Sequence, residues 1–185
     1  MDAARRLGSV AALALCALAL SGCAVKSVHS YLEPGADLNR YRGYAWGPAD
    51  RSGTGDPRLD NNEIFQQRIQ DAVERQLTTR GFEKNTSGSP ELLVHYHTSV
   101  EQRIDLRDKE PSTPCPDCKP FIYDAGTLVI DLVDARTNNL LWRGWSESNV
   151  DGVVDNQRWL EERVDETVAD IFRRFPSRRV AAGGQ

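Results

Sequence analysis

The sequence predicts an α+β fold, a two-layer sandwich in which two helices cover one face of a mostly antiparallel sheet of about five strands. Two segments with helical spacing of apolar residues predict the helices. Several short runs of β-branched and aromatic residues predict the strands, in the order ββαβββα. Because each helix is apolar on one side only, the two layers are expected to bury their apolar faces against each other.

Two strands are predicted before the first helix. Residues 25–31 (VKSVHSY) and 41–46 (YRGYAW) are rich in β-branched and aromatic residues, and proline and glycine follow each of them. Residues 48–60 are rich in Gly, Pro and Asp and predict a loop. After the first helix, residues 91–104 (ELLVHYHTSVEQRI) predict a strand, and residues 105–120, with four prolines, predict a second loop.

Each helix has a start signal and a stop signal. Asn61 or Asn62 can cap the first helix, which a glycine ends, and Asp155 or Asn156 can cap the second, which Pro176 stops. The predicted stripes are Ile64, Phe65, Ile69, Ala72, Val73 and Leu77 in the first helix, and Leu160, Val164, Val168, Ile171, Phe172 and Phe175 in the second.

The hairpin of residues 125–150 has a predictable register. Turn residues 135–139 (ARTNN) join its strands, and closing this loop places Asp131 opposite Arg143. Opposite charges across a strand pair are favourable, and a slip of one residue would separate them. The same register pairs Leu132 with Trp142 and Ile130 with Gly144.

Residues 1–22 predict a lipoprotein signal peptide. Two arginines precede an unbroken apolar run over residues 10–20, which is too short to cross a bilayer and typical of an export signal. Residues 20–23 (LSGC) then offer a cleavage site and, at Cys23, a thiol that can carry a lipid. The alternative is an ordinary cleaved signal followed by a chance cysteine. Residues 23–176 are predicted to form a single periplasmic domain, and residues 177–185 a disordered tail.

Charge and the anchor together predict the location. Ala24, rather than Asp, follows Cys23, and by resemblance to enterobacterial lipoproteins this favours the outer membrane, with the domain facing the periplasm. The net charge of −4 argues against a nucleic-acid partner and against adsorption to anionic lipid. We therefore expect the lipid on Cys23 to provide membrane attachment.

Two cysteines remain for chemistry, because Cys16 lies in the signal peptide. Cys115 and Cys118 flank Pro-Asp in the proline-rich loop, and a local disulfide is the expected state in an oxidising compartment. A thioredoxin-type redox pair is one alternative, although it requires a helix N-terminus. A zinc site is another, with His95 and His97 as the two further ligands from one face of a strand.

The sheet face opposite the helices is the candidate partner-binding surface. The predicted register places three chemically different side chains there, Asp131, Arg143 and Trp145, and this mixture is more apolar than a plain solvent face. The alternative is an ordinary half-exposed sheet face with one ion pair. Its other predicted members are Val129, Val133, Leu141, Leu93, His95 and His97.

No catalytic motif accompanies this surface. The sequence has no GxSxG motif, no Walker A motif and no arguable pair of general acid and base. We therefore expect a non-catalytic binding or accessory role in the cell envelope, with a protein partner and without a cofactor. The alternative is a metal-binding or redox-active envelope protein that uses His95, His97, Cys115 and Cys118. A structural subunit of a larger assembly is also open.

Several short motifs spread over the chain carry a family resemblance. They are Asp37-Leu38 before residues 41–46, Arg80-Gly81-Phe82, Gly126-Thr127-Leu128, Asp134, Leu141-Trp142-Arg143-Gly144 and Phe175-Pro176. With them the chain resembles a family of bacterial lipoproteins, domain of unknown function 4136. The resemblance implies a small α/β module of the envelope and carries over no catalytic residue. The Cys115/Cys118 insertion is not a feature associated with that family.

Overall fold

The chain folds into one mixed sheet of six strands with its helices packed on one face, which confirms the predicted α+β class. The computed structural model describes residues 26–48, 53–86, 88–105 and 121–177. The predicted signal peptide, Cys23, Cys115, Cys118 and tail residues 178–185 lie outside these ranges.

Six strands and three helices make up the described chain. The strands are β1 (Lys26–Leu32), β2 (Gly43–Trp46), β3 (Glu83–Lys84), β4 (Leu92–Asp105), β5 (Phe121–Asp134) and β6 (Leu140–Asn149). The helices are α1 (Pro57–Asp60), α2 (Glu63–Thr78) and α3 (Gln157–Arg173), and a short 3₁₀ turn covers Leu38–Arg40.

The strand order is β1-β6-β5-β4-β2-β3. β1, β6, β5 and β4 are antiparallel neighbours, whereas β2 runs parallel to both β4 and β3. The sheet is therefore mixed, and β3 raises the strand count above the predicted five. A strand of two residues is too short to show an alternating pattern, so the sequence gives no signal for it.

β4 and β5 form the longest pair of the sheet. They pair over fourteen positions, from Leu92 opposite Asp134 to Asp105 opposite Phe121. β5 therefore begins four residues before the predicted start at residue 125, because residues 121–124 (FIYD) continue the ladder. Residues 106–120 of the predicted loop lie outside the described ranges.

The predicted register of the β5–β6 hairpin is confirmed. Asp131 pairs with Arg143, and the ladder shifts between Leu132 and Val133, where β6 accommodates a bulge. The bulge breaks the alternation of faces, and Leu141 is buried in the core cluster. The prediction that Leu141 belongs to the open sheet face was wrong for this reason.

The two long helices use the caps that the sequence offers. The Asn62 side chain accepts a hydrogen bond from the Phe65 N–H at 2.9 Å, and the Asn156 side chain accepts one from the Trp159 N–H at 3.2 Å. The predicted stripes are buried, with one exception. Ile64 is 60% exposed, because the buried face of α2 begins at its neighbour Phe65.

The short helix α1 replaces part of a predicted loop. Asp56 caps it by accepting the Arg58 N–H, and Pro57 occupies its first turn, which is the usual position for a helical proline. The Arg58 guanidinium also forms ion pairs with Asp56 and Asp155. The ion pair with Asp155 connects α1 to the segment before α3.

The core lies between the sheet and helices α2 and α3. Its largest fully buried side chains are Trp142, Tyr44, Phe82 and Phe172. The rings of Trp142 and Phe172 lie 5.5 Å apart, and the Arg80 guanidinium lies 5.1 Å above the Phe172 ring. None of the helices in the described part of the chain is long and apolar enough to span a membrane.

Candidate functional site

The sheet face that the helices leave uncovered carries the candidate site. Alternation along the strands points the helix-facing residues into the core and their neighbours to the opposite side. We call this opposite side the open face, and its central members in the described chain are His29, Tyr31, His95, His97, Val129, Asp131, Arg143 and Trp145.

An ion pair of fixed geometry forms the centre of the open face. The Arg143 Nε and Nη2 atoms donate hydrogen bonds to the two Asp131 carboxylate oxygens, at 2.7 and 2.5 Å. Asp131 is only 5% exposed, whereas the Arg143 side chain is 44% exposed. The hydrogen bonds with Asp131 raise the pKa of Arg143. The pair therefore presents an oriented, permanently charged guanidinium to the exterior.

Two histidines from β4 border this pair. The His97 Nε2 atom lies 3.8 Å from the Asp131 Oδ2 atom, which is longer than a hydrogen bond. His95, opposite Asp131 in the ladder, packs against Gly47 so closely that a Cβ at Gly47 would overlap the imidazole ring. A side chain at position 47 would therefore require the His95 imidazole to move.

An aromatic pair lies beside the charged centre. The rings of His29 and Trp145 stack with centroids 5.3 Å apart and planes inclined by 24°. Trp145 faces Val129 on its other side, and Val129 faces His97, so one continuous row crosses four strands. Tyr31, opposite Arg143, is exposed at the edge of the sheet.

This arrangement suits recognition. Trp, Tyr and Arg are the residue types that most often dominate the binding energy of protein interfaces, and one of each lies here within the two neighbouring strands β1 and β6. Both carboxylate oxygens of Asp131 accept hydrogen bonds from Arg143, so Asp131 is poorly placed to act as a general base. The open face therefore combines a fixed charge with aromatic surface.

The structure brings the three predicted partner-binding residues, Asp131, Arg143 and Trp145, together on one face. His95 and His97 share that face, as predicted. Across the described ranges, no group of three or more His, Cys, Asp or Glu side chains could hold a metal. Because Cys115 and Cys118 lie outside those ranges, the zinc, redox and disulfide hypotheses stay predictions.

Sequence reasoning missed two members of the open face. His29 and Tyr31 lie on β1, which joins the sheet beside β6 at the far end of the sequence. No sequence pattern within residues 26–32 indicates that β1 pairs with β6. The stacking of His29 on Trp145 was therefore found only in the structure.

Two solved structures share this fold at low sequence identity. A PDZ domain protein from Parabacteroides distasonis is 15% identical with a TM-score of 0.52, over 82% of this chain and 36% of that one. The chain thus spans about a third of that neighbour. A DUF4136 family protein from Bacteroides thetaiotaomicron is 10% identical with a TM-score of 0.50, over 78% of this chain and 94% of that one.

A weaker likeness is to the PelC dodecamer from Paraburkholderia phytofirmans, at 10% identity and a TM-score of 0.45, over 79% of this chain and 94% of that one. No curated protein sequence matches significantly. The family model described as domain of unknown function (DUF4136) matches residues 28–177, nearly all of the described chain. This match confirms the resemblance seen in the sequence motifs, and the chain therefore belongs to the DUF4136 family.

Proposed function

We propose that this chain is a lipid-anchored, non-catalytic binding module of the cell envelope. In this proposal the lipid on Cys23 holds it at the periplasmic side of the outer membrane, and the open face contacts an envelope protein. The anchor rests on residues 20–23 (LSGC) after the apolar run of residues 10–20.

The Asp131–Arg143 pair is the observation that supports the binding role most directly. A nearly buried carboxylate holds an arginine whose side chain is 44% exposed, so the guanidinium keeps one orientation before any partner arrives. A preorganised group loses little conformational freedom on binding, and this increases affinity. Such an arginine beside Trp145 is a natural anchor for a protein partner.

Site-specific photo-crosslinking in cells tests the binding surface. A photoreactive amino acid replaces Trp145 in the full-length chain, and the matched control replaces Trp159, which is 50% exposed on α3 away from the sheet. The expected result is a discrete crosslinked protein from position 145 that is absent from position 159. Equal products from both positions, or none from position 145, would remove the open face as the binding surface.

Membrane fractionation tests the anchor separately. The variant Cys23→Ser lacks the thiol that would carry the lipid, so it is expected to leave the outer-membrane fraction, while the variant Cys115→Ser stays there. Mass analysis of the N-terminal peptide should detect acyl chains on Cys23 in the unmodified protein. An unlipidated Cys23 would contradict the anchor without affecting the crosslinking result.

A further inference from the structure

A second region, on the other side of the sheet, has the character of a ligand site. A cavity of about 60 Å³ lies between the helices and the sheet. This volume is several times the roughly 10–15 Å³ that one water molecule needs. Most side chains in its wall are apolar, including Phe65, Ile69, Leu128, Leu160 and Val164. Apolar cavities are poor sites for water, because water finds few hydrogen-bond partners there.

Two tight contacts shape this cavity. Gly126 lines it, and a Cβ at this position would come within 2.7 Å of Val150 Cγ1, so the glycine lets Val150, just after the end of β6, pack against β5. At the same end of the sheet, the Val100 N–H donates to the Thr54 carbonyl at 2.6 Å and fastens the segment before α1. The wall is thus assembled from the sheet, all three helices and a connecting loop.

One charged side chain lies at the edge of this apolar wall. Arg163 is the only charged residue among the described residues that line the cavity. Its ionic contact in the described chain is with Glu166, at 3.7 Å, and Glu166 is itself largely exposed. This distance is too long for a hydrogen bond, so the guanidinium retains donors for a further anion.

From the apolar wall and the adjacent Arg163 we infer that the cavity binds the alkyl chain of a single-chain carboxylate, a fatty-acid-like ligand. Its apolar end enters the cavity among Phe65, Leu128 and Val164, and its carboxylate pairs with Arg163. A carboxylate and a guanidinium form charge-assisted hydrogen bonds, which gives the site its preference for an anion. This site is independent of the proposed partner surface and of the lipid on Cys23.

Chain length gives the first test. The full-length chain carries Cys23→Ser, so that no attached lipid is present and no detergent is needed. Isothermal titration calorimetry follows the binding of unlabelled alkyl carboxylates of increasing length. Affinity should rise about fourfold for each added methylene and level off once the short cavity is full. Absence of carboxylate binding, or a rise that never levels off, would overturn the proposal.

The second test concerns the carboxylate head group of the ligand and the location of its binding site. Arg163→Gln should weaken the binding of decanoate about tenfold and leave the binding of decanol unchanged, because only the acid uses the guanidinium. Arg158→Gln is the matched control on the same helix and should change neither. Thr167→Leu adds apolar volume to the cavity wall and should weaken both ligands. Thermal unfolding confirms that each variant is folded, and unaltered binding in both Arg163→Gln and Thr167→Leu would place the ligand elsewhere.

Discussion

Asp131 and Arg143 lie opposite each other on β5 and β6, and two hydrogen bonds join the guanidinium to a carboxylate that is almost fully buried. The pair therefore joins the two strands of the β5–β6 hairpin and also holds the positive charge that the open face presents. Removing the arginine leaves a buried carboxylate without its main partner, which costs more than the loss of one surface contact.

Arg143→Ala is expected to lower the free energy of unfolding by about 1–3 kcal/mol, towards the lower end because water screens the half-exposed guanidinium. The matched control is Arg158→Ala, whose side chain is 79% exposed and 3.9 Å from Glu162. Its effect should stay within about 0.5 kcal/mol. Urea unfolding at neutral pH measures both, and equal losses would show that Asp131 does not depend on Arg143.

The choice between two adjacent asparagines can be tested at the start of α2. Asn62 caps the helix and should cost about 1 kcal/mol when replaced by alanine, because the Phe65 N–H loses its acceptor. Asn61 is exposed, and Asn61→Ala should cost clearly less. Urea unfolding of the two variants decides the matter, and a larger loss at position 61 would contradict the observed cap.

Gly144 is expected to tolerate no side chain. A Cβ there would lie 2.5 Å from Ile171 Cγ2 and equally close to the Trp142 ring, both in the packed core. Gly144→Ala should therefore destabilise the fold by about 1–3 kcal/mol, which lowers the melting temperature by several degrees. Gly43→Ala is the control, because its Cβ would meet only Asn85 at 3.8 Å. A stable Gly144→Ala variant would mean that α3 packs differently against β6.

Acid should weaken one turn in a defined pH range. The Thr137 N–H and the Tyr41 hydroxyl donate to Asp134 at 2.7 and 2.8 Å, and these hydrogen bonds lower its pKa to about 2. Because the folded pKa lies below the unfolded value of 3.8, the stabilisation is present above that value and is lost as the pH falls towards about 2.

Melting temperatures of the wild type and Asp134→Asn between about pH 6 and pH 2 check this expectation. The wild type should be the more stable protein above about pH 4, and the difference should shrink steadily towards pH 2. A difference that is independent of pH would show that the Asp134 carboxylate charge contributes nothing. When Tyr41→Phe is introduced into both proteins, the difference in melting temperature above about pH 4 should shrink, because Asp134 loses one of its hydrogen-bond donors.

The state of Cys115 and Cys118 separates the binding module from its metal-binding alternative. For protein purified without an affinity tag, we expect a disulfide between them in a non-reduced peptide map and no stoichiometric zinc in metal analysis. The linkage should disappear on reduction. One zinc ion per chain, lost in His95→Ala and in Cys118→Ser, would instead favour the metal site.

Local signals explain what the sequence could predict. The register of β5 and β6 follows from a short connecting loop and one pair of opposite charges, all within twenty residues. The helices follow from apolar stripes with caps. Helix α1 also had a signal, Asp56 before Pro57, but four residues are too few to show a period, and the Gly/Pro/Asp composition favoured a loop.

Non-local pairings explain most of what the sequence could not predict. β2 enters the sheet between β4 and β3 and runs parallel to both, and no pattern within residues 43–46 indicates this. The same applies to His29, whose ring stacks on Trp145 only because β1 lies beside β6. The ion pair of the candidate site and the place of Trp145 beside it were predictable, whereas the stacking of His29 on Trp145 was not.

The pairing of β1 with β6 also governs when folding can finish. Lys26 lies opposite Ser148, so the first strand cannot join the sheet until the last strand has been made. Pairings between distant segments raise the contact order and slow folding. Until β1 arrives, β6 presents an unsatisfied strand edge to other chains, which is a route to aggregation. A chain that is truncated before β6 therefore loses two strands from the sheet, because β1 then has no neighbour with which to pair.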